Sequence, residues 1–259
     1  MVELLQYTPL HVCSSAIRTC WDSGDKSDTG HVFECSECSF ITHEPGLNTY
    51  GKPFCIECGS TLGKYLHITG TKDKALINRV GNENKHSSTL EHLVYNFHIK
   101  DISRACLQEL ARHRVASLSV KSTRYTLKEL KKEAHFTEGW CATDTFEETL
   151  FNDNGYHRAQ KYLVMTGDFR VDICSIGALE NLRDLLVMGI SNDTAKYCLP
   201  EAYKTELAWT INARSLQNFL MLRSSKHALW EIRNLAYELY NSLPEDHKYL
   251  FTDYISKEK

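Results

Sequence analysis

Residues 111–124 of the 259-residue chain read Ala-Arg-His-Arg-Val-Ala-Ser-Leu-Ser-Val-Lys-Ser-Thr-Arg. The stretch places seven residues between the run Arg112-His113-Arg114 and Ser122. An arginine fork can hold a phosphate or a pyrimidine carbonyl edge through two hydrogen bonds, and it keeps its proton near neutral pH. Taken alone, the stretch fits the solvated basic end of a helix as well as it fits an anion site.

The neighbouring segments predict a mixture of strands and helices. From 93 to 99, large apolar residues occupy every second position, which is typical of a strand with one buried face. Ser103 is placed to cap a following helix that ends near Arg114. We further expect a strand over 2–5 and a helix from Pro9 to about Trp21 with Thr8 as its N-cap. One helix or a pair of helices is expected over 201–222, and another helix over 225–243. Strands and helices without a regular βα repeat predict an α+β fold.

Composition and charge exclude several classes of protein. With 42% hydrophobic residues the chain can bury one sizeable core, or one core plus a small module. A net charge of -3 argues against a broad nucleic-acid surface, so an anion site needs locally clustered cations. No run approaches the ~20 apolar residues of a membrane helix, and the first twenty residues are too polar for a signal peptide. We therefore expect a cytoplasmic protein.

Residues 30–70 differ from the rest of the chain. They hold six of the thirteen glycines and both Cys-x-x-Cys pairs, and they show no helical period. We interpret them as an inserted module within a main domain formed by 1–29 and 71–259.

The inserted module carries a four-cysteine metal motif. Sixteen residues separate Cys35-Ser-Glu-Cys38 from Cys55-Ile-Glu-Cys58, a spacing that lets two tight turns bring four thiolates onto one tetrahedral ion. Gly59 suits the positive φ of such a turn. Zinc is favoured over a rubredoxin-like iron, which stays an alternative, because nothing else indicates one-electron chemistry. Four thiolates leave no open coordination position, so the ion is predicted to be structural.

Two further blocks give the stretch at 111–124 a context. Residues 86–92 read His-Ser-Ser-Thr-Leu-Glu-His, and Leu199-Pro200 is followed at 209–220 by Trp-Thr-Ile-Asn-Ala-Arg-Ser-Leu-Gln-Asn-Phe-Leu and then by Arg223. The three blocks, in this order, resemble the flavin-dependent thymidylate synthases (ThyX family). The resemblance covers nearly everything except the insert. It implies a central antiparallel sheet flanked by helices, in a homotetramer that binds FAD and substrate between subunits.

The resemblance also implies a reaction and a set of site residues. NADPH would reduce FAD, methylenetetrahydrofolate would supply a one-carbon unit, and dUMP would become dTMP. The FAD contacts carried over are His86, Ser88, Arg112, His113, Arg114, Asn212, Arg214, Asn218 and His227. The dUMP contacts carried over are Glu109, Leu110, Ala111, Arg112, Val120, Lys121, Ser122, Thr123, Arg124, Lys196 and Arg223. Arg223 has the catalytic role, because a permanent cation beside uracil N3 would stabilise the ionised ring.

The chain departs from the family pattern at several positions. Lys196 stands where relatives often carry arginine, so the phosphate contact loses its fork but retains its charge. Val120 stands where relatives frequently carry Glu or Gln, and Glu109 stands where they frequently carry Gln. We expect activity with altered nucleotide affinity. Arg104 and Arg183 are explained as well by scattered, solvated arginines as by a phosphate site.

The family requires no cysteine nucleophile. The remaining cysteines therefore include predicted core thiols at Cys106, Cys141, Cys174 and Cys198.

Two other interpretations remain open at this point. One is a catalytically weakened relative that binds flavin and nucleotide and uses its zinc knuckle for regulation or partner binding, which a turnover assay would distinguish. The other is a zinc-dependent nucleic-acid module joined to an unrelated C-terminal domain, which the negative charge disfavours. The role of the insert stays open between a tetramer contact, a cover for a substrate entrance and a docking site.

Overall fold

The computed structural model describes residues 1–137 and 154–257. Its strands are β1 (Val2–Tyr7), β2 (Gly30–Cys35), β3 (Ile41–Thr42), β4 (Gly46–Leu47), β5 (Pro53–Phe54), β6 (Gly63–Ile68), β7 (Val94–Ser103), β8 (Ala116–Val120) and β9 (Lys204–Asn212). Its α-helices are α1 (Leu10–Cys20), α2 (Thr71–Ile77), α3 (Arg104–Leu110), α4 (Thr123–Thr126), α5 (Asn154–Ala159), α6 (Phe169–Val187), α7 (Asn192–Ala195), α8 (Ala213–Arg223) and α9 (Trp230–Ser242).

Short helical turns connect these elements. A π-helical turn covers Asn78–Glu83, and 3-10 turns cover Gly24–Lys26, Ser87–His92, Leu127–Lys132, Lys196–Cys198, Glu245–Leu250 and Thr252–Tyr254. None of the helices in the described part of the chain is long and apolar enough to cross a membrane.

An antiparallel sheet in the order β1-β7-β9-β8 forms the centre of the fold. On its buried face Phe97 of β7 pairs with Trp209 of β9, which pairs in turn with Leu118 of β8. Helices α1, α3, α8 and α9 contribute to the core that covers this face. The predicted α+β class and antiparallel sheet are therefore confirmed.

The helix predicted over 201–222 is wrong in its first half. Lys204–Asn212 is a strand, because its buried side chains recur at every second position and both of its edges pair with neighbouring strands. The helical period begins only at Ala213, where the Asn212 carboxamide oxygen accepts a hydrogen bond from the Ser215 amide at 2.9 Å. The helix predicted over 225–243 likewise begins later, at Trp230.

Two predicted N-caps have different outcomes. The Ser103 hydroxyl accepts a hydrogen bond from the Cys106 amide at 3.0 Å, which confirms it as the cap of α3. Thr8 does not cap α1, because its hydroxyl accepts from the Val94 amide at 3.1 Å and so joins the chain to the sheet. Since α3 ends at Leu110, the Arg-His-Arg run lies in a turn before β8.

A second apolar cluster that the sequence did not predict packs α5 and α6 against the turn at Leu127–Lys132. Arg183 is buried at its edge, and its Nε donates to a Glu180 carboxylate oxygen at 3.1 Å. Arg183 is therefore a structural ion-pair residue and not a solvated arginine. Among the predicted core thiols, Cys106 is buried, Cys174 and Cys198 are exposed, and Cys141 lies outside the described residues.

The predicted insert folds as small β-sheets. Strand β2 lies between β3 and β6, and β4 pairs with β5. Its apolar centre consists of Phe33, Cys35 and Cys55, with Phe40 packed against them. Such a core is too small to hold a forty-residue module without another source of stability.

Candidate functional site

Arg223, the last residue of α8, lies at the centre of a polar cluster. Its Nη1 donates to a Glu109 carboxylate oxygen at 2.8 Å, and its Nε donates to His113 Nε2 at 3.0 Å. Arg112 also faces the Glu109 carboxylate, with 3.4 Å between Nη2 and Oε1. These four residues form the Arg223 cluster. The Arg223 side chain is only 18% exposed, so its charge is less screened than that of a surface arginine.

His113 serves this cluster as a neutral acceptor. Burial, followed by the neighbouring Arg223 charge, lowers the pKa of His113 to about 4. Because Nε2 accepts a hydrogen bond from Arg223, the ring proton of the neutral form is placed on Nδ1. The ring also packs edge-on against Phe219 of α8, with 4.9 Å between centroids. His113 therefore fixes the orientation of the guanidinium without adding charge.

A pocket of about 250 Å³ opens beside the Arg223 cluster. Its walls are Arg112, His113, Arg114, Val115, Ser215, Asn218, Leu222 and Arg223. Four predicted FAD contacts and the predicted catalytic arginine therefore share one pocket. Three arginine cations, of which Arg223 is held by hydrogen bonds, and an exposed carboxamide suit a ligand that carries phosphates or planar carbonyl groups.

A second cluster gathers other predicted dUMP contacts around Asp193. The Asp193 carboxylate lies 2.9 Å from Arg124 Nε and 3.7 Å from Lys196 Nζ. We call these three residues the Asp193 cluster. Thr123 and Lys196 line a neighbouring cavity of about 330 Å³. Sequence reasoning missed Asp193, although its position three residues before Lys196 at the start of a helical turn was a readable signal.

The remaining predicted FAD contacts are more dispersed. Asn212 caps α8, and Arg214 pairs with Glu91 at 2.6 Å. His86, Ser88 and His227 are exposed. Within residues 1–137 and 154–257, no hydrogen bond or ion pair connects these three residues to the Arg223 cluster.

The other predicted dUMP contacts lie on either side of β8. Leu110 is buried in the main core, so only its main chain is available to a nucleotide, whereas Ala111 is exposed. Val120 is 40% exposed at the end of the edge strand. Lys121 donates its amide to the Glu206 carbonyl at 2.9 Å, and Ser122 directly precedes α4.

Two equivalent turns bring the four motif cysteines together. Sγ–Sγ distances are 3.5 Å between Cys35 and Cys58 and 3.6 Å between Cys38 and Cys55, and all four sulfurs lie within 4.8 Å of one another. Tetrahedral zinc with Zn–S bonds of about 2.3 Å requires sulfurs about 3.8 Å apart. The predicted positive φ of Gly59 is confirmed at 74°. The donor set fits a structural zinc ion.

Comparisons with known proteins point to one family. The sequence matches the family described as "Thymidylate synthase complementing protein" over residues 3–247. It is 54% identical over 250 residues to the flavin-dependent thymidylate synthase of Wolinella succinogenes, with 96% of each chain covered. The Campylobacter jejuni (strain RM1221) protein of that name is 50% identical over 257 residues, covering 99% of this chain and 98% of the relative. The crystal structure of Helicobacter pylori ThyX with FAD and dUMP has a TM-score of 0.76 and 46% identity, with 99% of both chains covered.

Proposed function

The chain belongs to the flavin-dependent thymidylate synthase family, and from this premise we propose that it converts dUMP to dTMP. Methylenetetrahydrofolate is the proposed one-carbon donor, and NADPH is the proposed reductant acting through FAD. The protein is then a methyltransferase of dTMP biosynthesis. No disulfide joins two cysteines in the described part of the chain, which supports the proposed cytoplasmic location.

The observation that carries the proposal is the placement of Arg223. Glu109 and His113 hold its guanidinium from two sides at a pocket wall, so its position is set before a ligand arrives. A preorganised cation beside a uracil edge stabilises the negative charge that develops when the ring loses its N3 proton. This charge raises the nucleophilic character of C5, where the new carbon is attached.

The residues around this pocket fit FAD. Arg112, Arg114 and Asn218 offer hydrogen-bond donors to phosphates or ring carbonyls, and Leu222 offers an apolar surface. FAD, when bound, supplies the redox chemistry that completes the methyl group. The protein side chains bind and orient the ligands, and Arg223 holds the charge of the pyrimidine.

Two features support a homotetramer with sites shared between subunits. A pocket of about 250 Å³ lies below the ~300–1,000 Å³ typical of ligand sites, so a dinucleotide needs walls from elsewhere. The predicted dUMP contacts also divide between the Arg223 cluster and the Asp193 cluster, and no ion pair or hydrogen bond in the described part of the chain links the two. A neighbouring subunit that joins one cluster to the other would complete a single site.

We also propose a structural zinc ion bound by Cys35, Cys38, Cys55 and Cys58 in a module of residues 30–70, with 1–29 and 71–259 as the synthase domain. The sulfur spacing and the small apolar centre of the module support this assignment. Metal binding then supplies the folding free energy that the core lacks.

An anaerobic turnover assay tests the proposed function. The full chain is incubated with FAD, NADPH, methylenetetrahydrofolate and dUMP, and dTMP is measured by mass spectrometry. We expect dTMP from the wild type and its loss in Arg223→Ala. Reduction of FAD without any dTMP would instead favour a flavin- and nucleotide-binding relative that has lost turnover.

A further inference from the structure

The cavity of about 330 Å³ next to the Asp193 cluster contains an arginine to which the family resemblance assigns no role. The cavity is lined by Arg104, Thr123, Lys196, Tyr197, Leu199 and Glu201. Arg104, the first residue of α3, is half-buried and therefore differs from a freely solvated surface arginine. Its guanidinium shares this cavity with two residues proposed to bind dUMP, Thr123 and Lys196.

The charges around the cavity leave Arg104 without a counter-ion. Lys196 and Arg124 both face the Asp193 carboxylate, at 3.7 and 2.9 Å. Over residues 1–137 and 154–257, the Arg104 side chain makes neither an ion pair nor a hydrogen bond. A partly desolvated cation without a partner is costly, so this position favours an anionic ligand.

Glu201 is the acidic residue that lines the same cavity, and within the described part of the chain its carboxylate lies beyond ion-pair distance of Arg104. Its carboxylate accepts a hydrogen bond from Gln108 Nε2 at 2.8 Å. Its carbonyl accepts from the Ala105 amide at 3.1 Å, and the Arg104 amide donates to the Tyr203 carbonyl at 3.1 Å. These backbone bonds hold the loop against the start of α3, so the Arg104 side chain projects from a fixed main chain.

We infer that Arg104 binds the 5′-phosphate of dUMP together with Lys196 and Thr123, an inference that rests on the proposed function. A phosphate monoester offers oxygens that match a guanidinium fork, whereas the lysine ammonium acts as a point charge and the threonine hydroxyl as a single donor. Lys196 stands where relatives often carry arginine, and it cannot form two parallel hydrogen bonds to a phosphate. Arg104 supplies that bidentate contact instead.

Calorimetric titration of the FAD-loaded full chain tests this inference with three probes: dUMP, deoxyuridine without a phosphate, and inorganic phosphate as a competitor. Arg104→Gln should weaken dUMP binding by roughly 10- to 100-fold, the range for a lost hydrogen bond to a charged group. Deoxyuridine binding should not change. Arg104→Lys should give an intermediate loss, and inorganic phosphate should compete with dUMP more weakly in Arg104→Gln than in the wild type.

Arg170→Gln is the matched control, because Arg170 is an exposed arginine paired with Asp168 outside both clusters. The inference is overturned if Arg104→Gln binds dUMP as the wild type does, or if it loses dUMP and deoxyuridine affinity equally. Should thermal melting show that Arg104→Gln does not fold, the same comparison with Arg104→Lys decides. Formation of dTMP by the wild type is scored separately, so failure of the proposed function is distinguishable from failure at Arg104.

Discussion

Asp73 offers a direct test of what joins the proposed module of residues 30–70 to the rest of the chain. Its side chain is fully buried at the start of α2. The carboxylate accepts hydrogen bonds from Arg18 Nε at 2.7 Å, from the Ser27 hydroxyl at 2.6 Å and from the Thr29 hydroxyl at 2.7 Å. These donors come from α1 and from the chain entering the module, so one buried carboxylate connects three segments.

Asp73→Asn removes the charge and leaves the buried Arg18 guanidinium without a counter-ion. Breaking a buried pair on one side costs about 3–5 kcal/mol. For a chain of this size, that loss corresponds to a decrease in Tm of roughly 6–20 °C. Urea unfolding followed by circular dichroism measures the free energy, at one protein concentration because oligomerisation affects apparent stability.

A double variant, Arg18→Met with Asp73→Leu, should recover most of the lost stability, because removing both charges leaves neither one buried and unpaired. Asp168→Asn changes an exposed carboxylate that pairs with Arg170 and accepts the Arg170 amide at 3.0 Å as the N-cap of α6. Because a carboxamide can still cap the helix, its loss of stability should stay below about 1 kcal/mol. A loss below about 1 kcal/mol in Asp73→Asn would refute the reasoning. A double variant as unstable as the single one would do the same.

The acid limb of the stability curve gives a second readout for Asp73. Burial opposes ionisation, but hydrogen bonds from Ser27, Thr29 and Arg18 outweigh it and keep the pKa of Asp73 below its usual value. A carboxyl whose pKa is lowered on folding contributes stability above its unfolded pKa of about 4, and this stability is lost as the pH falls further. Asp73→Asn should therefore flatten the loss of stability in acid.

Three further predictions concern the proposed active site, the proposed zinc ion and a buried histidine. Arg223→Ala should lower the rate of dTMP formation by roughly 10²- to 10³-fold in a turnover assay with dUMP, while the absorbance of bound FAD is retained. An equal loss of rate in Arg170→Gln would contradict this role of Arg223. Cys35→Ser should remove stoichiometric zinc, measured by elemental analysis, and expose residues 30–70 to protease, whereas Cys174→Ser should change neither. Burial lowers the pKa of His247 to about 4, and Nδ1 lies 2.7 Å from the Tyr95 hydroxyl. A histidine in the unfolded chain is protonated near pH 6.5, well before His247 in the folded chain. The free energy of unfolding should therefore decrease as the pH is lowered from about 6.5 to 4. His247→Gln should reduce that slope in a pH series of melting curves, and an unchanged slope would count against the assignment.

Features that depend on near neighbours along the chain can be predicted from the amino-acid sequence. The two Cys-x-x-Cys pairs predict the convergence of four sulfurs, because each pair forms within one tight turn. The alternation from 93 to 99 predicts β7, and Ser103 predicts the start of α3. The three motif blocks were sufficient to indicate the family, which the comparisons confirm.

Contacts between residues that are distant in sequence emerge only when the chain is folded. The sequence predicts a helix over Lys204–Asn212, but the segment is a strand because β7 and β8 supply hydrogen bonds to both of its edges. That pairing places α8 beside α3, so that Arg223 contacts Glu109 across 114 residues of sequence. Asp193 likewise meets Arg124, and Arg104 meets Thr123 and Lys196, only in the folded chain. The periodicity of apolar residues indicates which face of a single helix or strand is buried. A binding site depends instead on which helices and strands lie side by side, and packing over the whole chain determines this.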